Sequence, residues 1–300
     1  MLQTNTALSE RSTTRLKRLA AARAATMLPG APNALFARVI EELGFEAVYV
    51  TGAGISNMHL GAPDIGLTTI TEVAETTAAI ADAVSIPLIV DADTGFGNPV
   101  NVTRTVRLLE RAGVSGIQLE DQVFPKKCGH FKGKDVIPLP EMLQKIHAAV
   151  DTRLDQDLQI IARTDVYAVQ GFGAALERAA AFAEAGADII FVEAPTQQEE
   201  LARIPREIAA PHLVNIVFGG FTPEVPRETL REMGFSFVLY ANAALQAALK
   251  AAQDVLTALR DDGSLINVRD RLASFEERQR MVDKARYDRL EALYRTEAPR

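Results

Sequence analysis

One phrase recurs along this chain and restricts its fold more than any other feature: a helix-like segment, a glycine, then a short apolar run. It occurs as EELGFEAVYV around Gly44, ERAGVSGIQLE around Gly113, AEAGADIIFVE around Gly186 and REMGFSFVLY around Gly234. Glycine takes the left-handed conformation that ends a helix without a Cβ penalty, so each phrase reads as helix, stop, strand. Three more apolar runs, at 86–90, 158–162 and 211–214, follow helical stretches without that glycine, and Thr26 to Leu28 adds another near the start. Each run is too continuously apolar to have a wet face, which suits parallel strands covered by helices. Helix starts are predicted at Asn33, at Thr71 with Glu72, at Asn98 before Pro99, and at Gly173.

Eight βα units in about 240 residues match the size of an α/β fold of the (β/α)8 TIM-barrel type. A doubly wound open sheet is the alternative. Strand after strand ends in a polar residue: Thr51, Asp91 with Asp93, Glu120, Arg163, Glu193 and Asn215. In a barrel these positions converge on the C-terminal face, whereas in an open sheet only those near the switch point would meet. The predicted organisation is an N-terminal helical extension (1–25), the barrel (26–263) and a C-terminal helical tail (264–300). That tail exceeds what a barrel needs. Leu272, Phe275, Met281, Leu290 and Leu293 recur in it at roughly helical spacing, so it is expected to pack on a neighbouring element or subunit.

A hydrophobic content of 48% over 300 residues is enough for a well-buried core. The net charge of −7, with acidic and basic residues mixed along the chain, argues against a nucleic-acid partner. A single cysteine excludes an intramolecular disulfide and fits a reducing compartment. The N-terminus lacks an apolar core followed by a cleavage pattern, and no apolar run reaches membrane-span length. A cytosolic protein that binds neither nucleic acid nor membrane is expected.

That cysteine, Cys128, lies in VFPKKCGHFKGK between lysines and a Gly–His pair, a cationic setting that favours the thiolate. On its own the stretch reads equally well as a reactive loop or a solvated basic turn. Asp91 and Asp93, in VDADTGFGN, stand two apart at a strand end, which would turn both carboxylates to one side. Their repulsion would be relieved by a hard divalent cation, and oxygen-only ligands favour Mg2+ or Mn2+ over Zn2+. Asp64 in GAPDIG and Glu120 in LEDQ would complete such a site. The alternative is that the pair caps the following turn.

Gly95 and Gly97 free the backbone after this strand without forming a nucleotide fingerprint. Thr51, Gly52 and Ala53 offer a hydroxyl and N–H groups to a carboxylate, or form a simple Gly-rich turn. Arg163 suits bidentate binding of a substrate carboxylate, or a salt bridge to Asp165 or Glu193. His130 reads as a general acid, a carboxylate ligand or a surface residue, and His59, His147 and His212 as structural.

Taken together, VDADTGFGN, GIQLEDQ, PKKCGH, IIARTD and GAPDIG resemble the isocitrate lyase and phosphoenolpyruvate mutase superfamily, in its motif order, from about Pro29 to Gly263. The KKCGH segment marks the lyase branch, and the closest pattern is that of the short-chain lyases of 2-methylisocitrate and 2,3-dimethylmalate and of the oxaloacetate hydrolase-like enzymes. The resemblance implies a Mg2+ site at Asp91 and Asp93, with Asp64 and Glu120 in its inner or outer shell. Thr51, Gly52 and Ala53 would bind a keto acid, with Thr51 where the family often has Ser. Arg163, Glu193 and Asn215 would meet substrate oxygens or shape the site. A mobile gating loop would comprise Lys126, Lys127, Cys128, Gly129 and His130, with Cys128 supplying a proton to the departing carbanion.

The activity so implied is carbon–carbon cleavage of a 2-hydroxy di- or tricarboxylate to a keto acid such as pyruvate and a carboxylic acid. Alternatives are oxaloacetate hydrolysis or decarboxylation, phosphonomutation, or a catalytically silent keto-acid-binding barrel. A homotetramer with exchanged C-terminal helices is usual in the family. One departure stands out in NIVFGGFTP, between Asn215 and Pro223: Phe218 occupies a position where a glutamate is common, ahead of Thr222. LYANAAL likewise lacks the Pro and Ser often seen there. A bulkier or less polar distal substrate group is the expectation from Phe218.

Overall fold

The computed structural model describes residues 10–129, 131 and 133–295. In order, the elements are α1 (Ser12–Ala22), β1 (Thr26–Ala31), α2 (Ala34–Glu42), β2 (Val48–Val50), α3 (Gly52–Ile55), α4 (Ile70–Ala83), β3 (Leu88–Asp91), α5 (Pro99–Arg111), β4 (Gly116–Glu120) and α6 (Leu139–Thr152). They continue as β5 (Gln159–Thr164), α7 (Tyr167–Gln170), α8 (Phe172–Glu184), β6 (Ile189–Val192), α9 (Gln198–Glu207), β7 (His212–Asn215), α10 (Arg227–Met233), β8 (Phe237–Tyr240), α11 (Ala243–Asp262), α12 (Phe275–Met281) and α13 (Lys284–Tyr294).

The eight strands pair in sequence order, all parallel, and β1 closes on β8 with Met27 opposite Val238. The sheet is a closed barrel and not a doubly wound one. Side chains alternate along each strand. In β5, Ile160 and Ala162 pack outward under the helices, while Ile161 joins Leu28, Tyr49, Ile89, Ile189, Phe191 and Phe237 in the interior. Helix α1 caps this interior, with Leu16, Leu19 and Ala20 buried in the same cluster. A methyl on Gly116 would lie 3.0 Å from both Leu16 and Ile161, so the glycine makes room for the plug.

Gly44, Gly113, Gly186 and Gly234 all have positive φ after a helix, as their sequence context predicts. Asn33 caps α2, and Asn98 caps α5 ahead of Pro99. Other boundaries move. The cap of α4 is Thr69 and not Thr71, because Thr69 and Glu72 stand three apart and form a reciprocal capping box. Helix α8 begins at Phe172, after Gly171 at φ +83°, instead of at Gly173. Helix α1 ends at Ala22, where Arg23 turns left-handed, short of the Ala25 expected.

The chain divides into two compact units, the second starting at Leu245. In that second unit α12 and α13 follow a 3-10 turn at Ile266–Arg271, and Phe275, Val282, Tyr287 and Leu293 are exposed. Among the described residues no helix is long and apolar enough to cross a membrane.

Candidate active site

The strand ends bring Thr51, Asp91, Arg163, Glu193 and Asn215 to one small pocket at the C-terminal mouth of the barrel. Ala53 of α3 and Asp64, Cys128 and Gly129 of the loops above add to its wall. Its volume of about 30 Å3 has room for roughly a single water, so the loop carrying Cys128 sits close down on the barrel. A pair of hydrogen bonds from Val123 N–H to Asp135 O (2.9 Å) and from Gln122 Nε2 to Lys127 O (2.7 Å) ties the arms of that loop.

Asp91 and Asp93 converge, though by another route than two positions on one strand. Strand β3 stops at Asp91, and Asp93 takes φ +47° as the chain turns. The turn swings its carboxylate back beside Asp91: the two are 3.1 and 3.3 Å from the point where a Cβ on Gly52 would stand. Asp91 Oδ1 also accepts the Asp93 N–H (3.1 Å), so turn capping and convergence hold together.

Between these acids lies an ammonium. Lys126 Nζ is 2.5 Å from Asp64 Oδ1 and 2.7 Å from Asp93 Oδ1, and its side chain is 3% exposed. Burial disfavours the charged lysine, but Asp93, Glu120, Asp91 and Asp64 outweigh it and hold the pKa well above the usual lysine range. Burial pushes the Asp93 carboxyl up to about 7, against the pull of Lys126 and with help from Asp91 and Asp64.

Arg163 is gripped by acids. Its Nε and Nη2 donate to the two oxygens of Asp165 at 2.9 and 3.0 Å, its Nη1 lies 3.1 Å from Glu120 Oε2, and Glu193 Oε2 is 3.7 Å from Nε. Both salt-bridge partners considered from sequence are therefore in place. The guanidinium also stacks over Phe191, 5.4 Å from the ring centroid. Asp165 is buried, yet Arg163 and Lys134 hold its carboxyl below the ordinary range.

The donor set fits a hard cation. Asp93 Oδ1 and both oxygens of Glu120 are buried and accept no hydrogen bond of good geometry from the described residues, despite the cations beside them. Among the described residues no three His, Cys, Asp or Glu side chains enclose an ion by themselves. Mg2+ does not require that, because it is commonly held by one or two carboxylates with waters and substrate oxygens filling its shell.

Over residues 16–260 the sequence matches the phosphoenolpyruvate phosphomutase family. The chain belongs to that family. Among curated relatives it is 46% identical to 2,3-dimethylmalate lyase of Eubacterium barkeri, over 94% of this chain and 98% of the relative. It is 43% identical to a 2-methylisocitrate lyase of Aeropyrum pernix, over 92% and 89%. Among solved structures, oxaloacetate acetylhydrolase with the inhibitor 3,3-difluorooxalacetate superposes with a TM-score of 0.89 at 34% identity, covering 94% of this chain and 96% of that one. Phosphonopyruvate hydrolase with oxalate and Mg2+ gives 0.86 at 30%, covering 95% and 99%. Membership in the isocitrate lyase/phosphoenolpyruvate mutase superfamily, inferred from the motifs, is thereby established.

Within this family member, the residues expected from sequence divide into three groups. Thr51, Ala53, Asp64, Asp91, Cys128, Gly129, Arg163, Glu193 and Asn215 line the pocket. Gly52, Asp93, Glu120 and Lys126 lie buried directly behind that wall. Phe218 and Thr222 are outside both: Phe218 is 86% exposed on the loop after β7, and Thr222 is buried with a hydroxyl that meets no partner among the described residues. The ring of Phe218 faces solvent and is not among the residues that line the pocket. His130 lies outside the described residues.

Sequence reasoning passed over Tyr49, Gln118 and Lys134. Tyr49 Oη donates to Gln118 Oε1 (2.5 Å), and Gln118 Nε2 donates to Asp91 Oδ1 (3.1 Å), so a buried relay from β2 through β4 orients the acid. Burial, reinforced by Asp91, keeps the Tyr49 phenol protonated far above its usual range. The available signal was its place between Val48 and Val50, which alternation turns to the barrel interior.

Proposed function

We propose that this protein is a divalent-cation-dependent carbon–carbon lyase that cleaves a 2-hydroxy di- or tricarboxylate, of the 2-methylisocitrate or 2,3-dimethylmalate kind, to a keto acid such as pyruvate and a carboxylic acid. The observation that carries this reading is the meeting, in one pocket, of the Asp91 and Asp64 carboxylates, the Arg163 guanidinium and Cys128 of the overlying loop. The likeness to lyases at 43–46% identity over nearly the whole chain supports the same reaction class.

Asp91 and Asp93 would hold Mg2+ or Mn2+, with Asp64 and Glu120 around them, and the cation when bound supplies charge that lowers a hydroxyl pKa and stabilises developing negative charge. Arg163, fixed by Asp165, presents its charge to substrate carboxylate oxygens, and the 51–53 backbone receives the keto-acid half. Asn215, whose Oδ1 is buried without a hydrogen bond from the described residues, and Glu193 set the polar floor. A base takes the 2-hydroxyl proton, the C2–C3 bond breaks to leave the keto acid, and the Cys128 Sγ–H gives its proton to the carbanionic fragment. The closed loop keeps water from quenching that fragment elsewhere.

We further place the enzyme in the cytosol, on its single cysteine, as a homotetramer acting on small carboxylates. The deciding experiment incubates the protein with Mg2+ and, in parallel, 2-methylisocitrate, 2,3-dimethylmalate, isocitrate and oxaloacetate, with mass detection of products. Pyruvate or propionate is the expected outcome, and binding without turnover across the panel would replace this reading with a silent barrel. Oxaloacetate hydrolysis is the second reading, favoured by the fold match to oxaloacetate acetylhydrolase, and is recognised by oxalate with acetate.

A further inference from the structure

Lys134 sits on the returning arm of the loop, six residues after Cys128, and has no part in the scheme above. Its side chain is 2% exposed, unusual for a loop lysine. The ammonium donates to the backbone carbonyl of Gly129 and to Asp165 Oδ1 at 2.7 Å. The first bond closes the loop across the residue next to the cysteine, and the second bolts the loop to the end of β5.

Asp165 is itself held on several sides. It receives Arg163 on both oxygens, and its backbone N–H donates to Asp121 Oδ1 (2.9 Å). One buried carboxylate therefore fixes two things at once: the guanidinium in the pocket and the arm that carries Cys128. Contact between the two is close, because a Cβ on Gly129 would stand 2.7 Å from Arg163 Nη2. Lifting the loop would separate Lys134 from Asp165 and leave Arg163 as the one cation on that carboxylate among the described residues.

We propose that Lys134 is a positioning residue: through Gly129 and Asp165 it sets Cys128 over the pocket and couples the loop's seating to the orientation of Arg163. The catalytic part of this proposal rests on the reading of Cys128 as proton donor; the positional part does not. Charge-assisted hydrogen bonds between buried partners are strong and directional, and proton transfer is sensitive to displacement on the scale of an ångström.

The test uses the full chain with Lys134→Met, Lys134→Gln and Lys134→Arg. Since the chain has one cysteine, alkylation by iodoacetamide followed by intact mass reports Cys128 alone. Both neutral variants should alkylate roughly ten-fold faster than the parent with an unchanged melting transition, and Lys134→Arg should lie near the parent. With whichever substrate of the panel turns over, kcat should fall roughly ten-fold or more while KM moves by less than about two-fold. Parent-like alkylation in folded neutral variants overturns the proposal. Neutral variants that fail to fold also overturn it, assigning the ion pair to barrel stability. If no substrate turns over, the lyase reading fails while the alkylation result still decides the positional role.

Discussion

Gly129 rests against Glu193 with no space for a side chain: a Cβ built on the glycine would lie 2.5 Å from Glu193 Oε1. The loop can sit this low only because residue 129 has no methyl. Gly129→Ala should therefore hold the loop off the barrel and reduce kcat/KM by roughly ten- to a hundred-fold while leaving the melting transition near the parent value. Gly173, in the first turn of α8, has nothing within 4 Å of its added Cβ, so Gly173→Ala should be neutral or stabilise by about 0.5–1 kcal/mol. Equal activity losses in the two variants would show that the Gly129 contact is irrelevant.

Cys128→Ser replaces a thiol by a much weaker acid at the same place in the loop. Turnover should fall by about three orders of magnitude, within the range for removal of a general acid, while Mg2+ and pyruvate still bind. Binding is read by calorimetry and turnover by steady-state assay. Retained turnover would remove Cys128 from the chemistry.

Lys126→Met leaves Asp64 and Asp93 buried beside Asp91 without their ammonium. Taking one partner from a buried ion pair costs about 3–5 kcal/mol, so the metal-free variant should melt well below the parent. Mg2+ should recover more stability in this variant than in the parent, since the divalent charge now has no ammonium to share the acids with. Thermal melts with and without millimolar Mg2+ measure both effects, and identical Mg2+ shifts in the two proteins would refute the link.

His212 supplies a pH dependence remote from the site. Its Nε2–H donates to Ile208 O (3.0 Å), its Nδ1 is buried without a partner among the described residues, and its ring packs edge-to-face with Phe235. Burial lowers its pKa to about 4 from 6.5, with Arg23 acting in the same direction and the Ile208 bond opposing. The unfolded chain takes up this proton first, so the contribution is complete above pH 6.5 and is lost as pH falls towards 4, to a limit of about 3 kcal/mol. Denaturant titrations between pH 7 and 4 should show that slope, and His212→Gln should flatten it.

Much of the fold was legible because its determinants are local. A glycine after a helical turn, an apolar run and a polar strand end are each properties of a few adjacent residues, and eight repetitions suffice for a barrel with its acids at one mouth. The caps at Asn33 and Asn98 are local in the same sense, whereas Thr71 was a near miss, displaced by the reciprocal geometry of Thr69 and Glu72.

What the sequence by itself determined is the barrel, its polar ring and the place of Cys128 in a loop above it. Only the tertiary structure decided how the charges are shared. Lys126 could have been a solvated loop lysine, but lies between Asp64 and Asp93. Arg163 spends two nitrogens on Asp165, Lys134 joins the same carboxylate, and Phe218 turns to solvent. The physical reason is that strand and helix periodicity act over a few residues, whereas the partner of a buried charge is chosen by distance and desolvation among groups that are far apart along the chain.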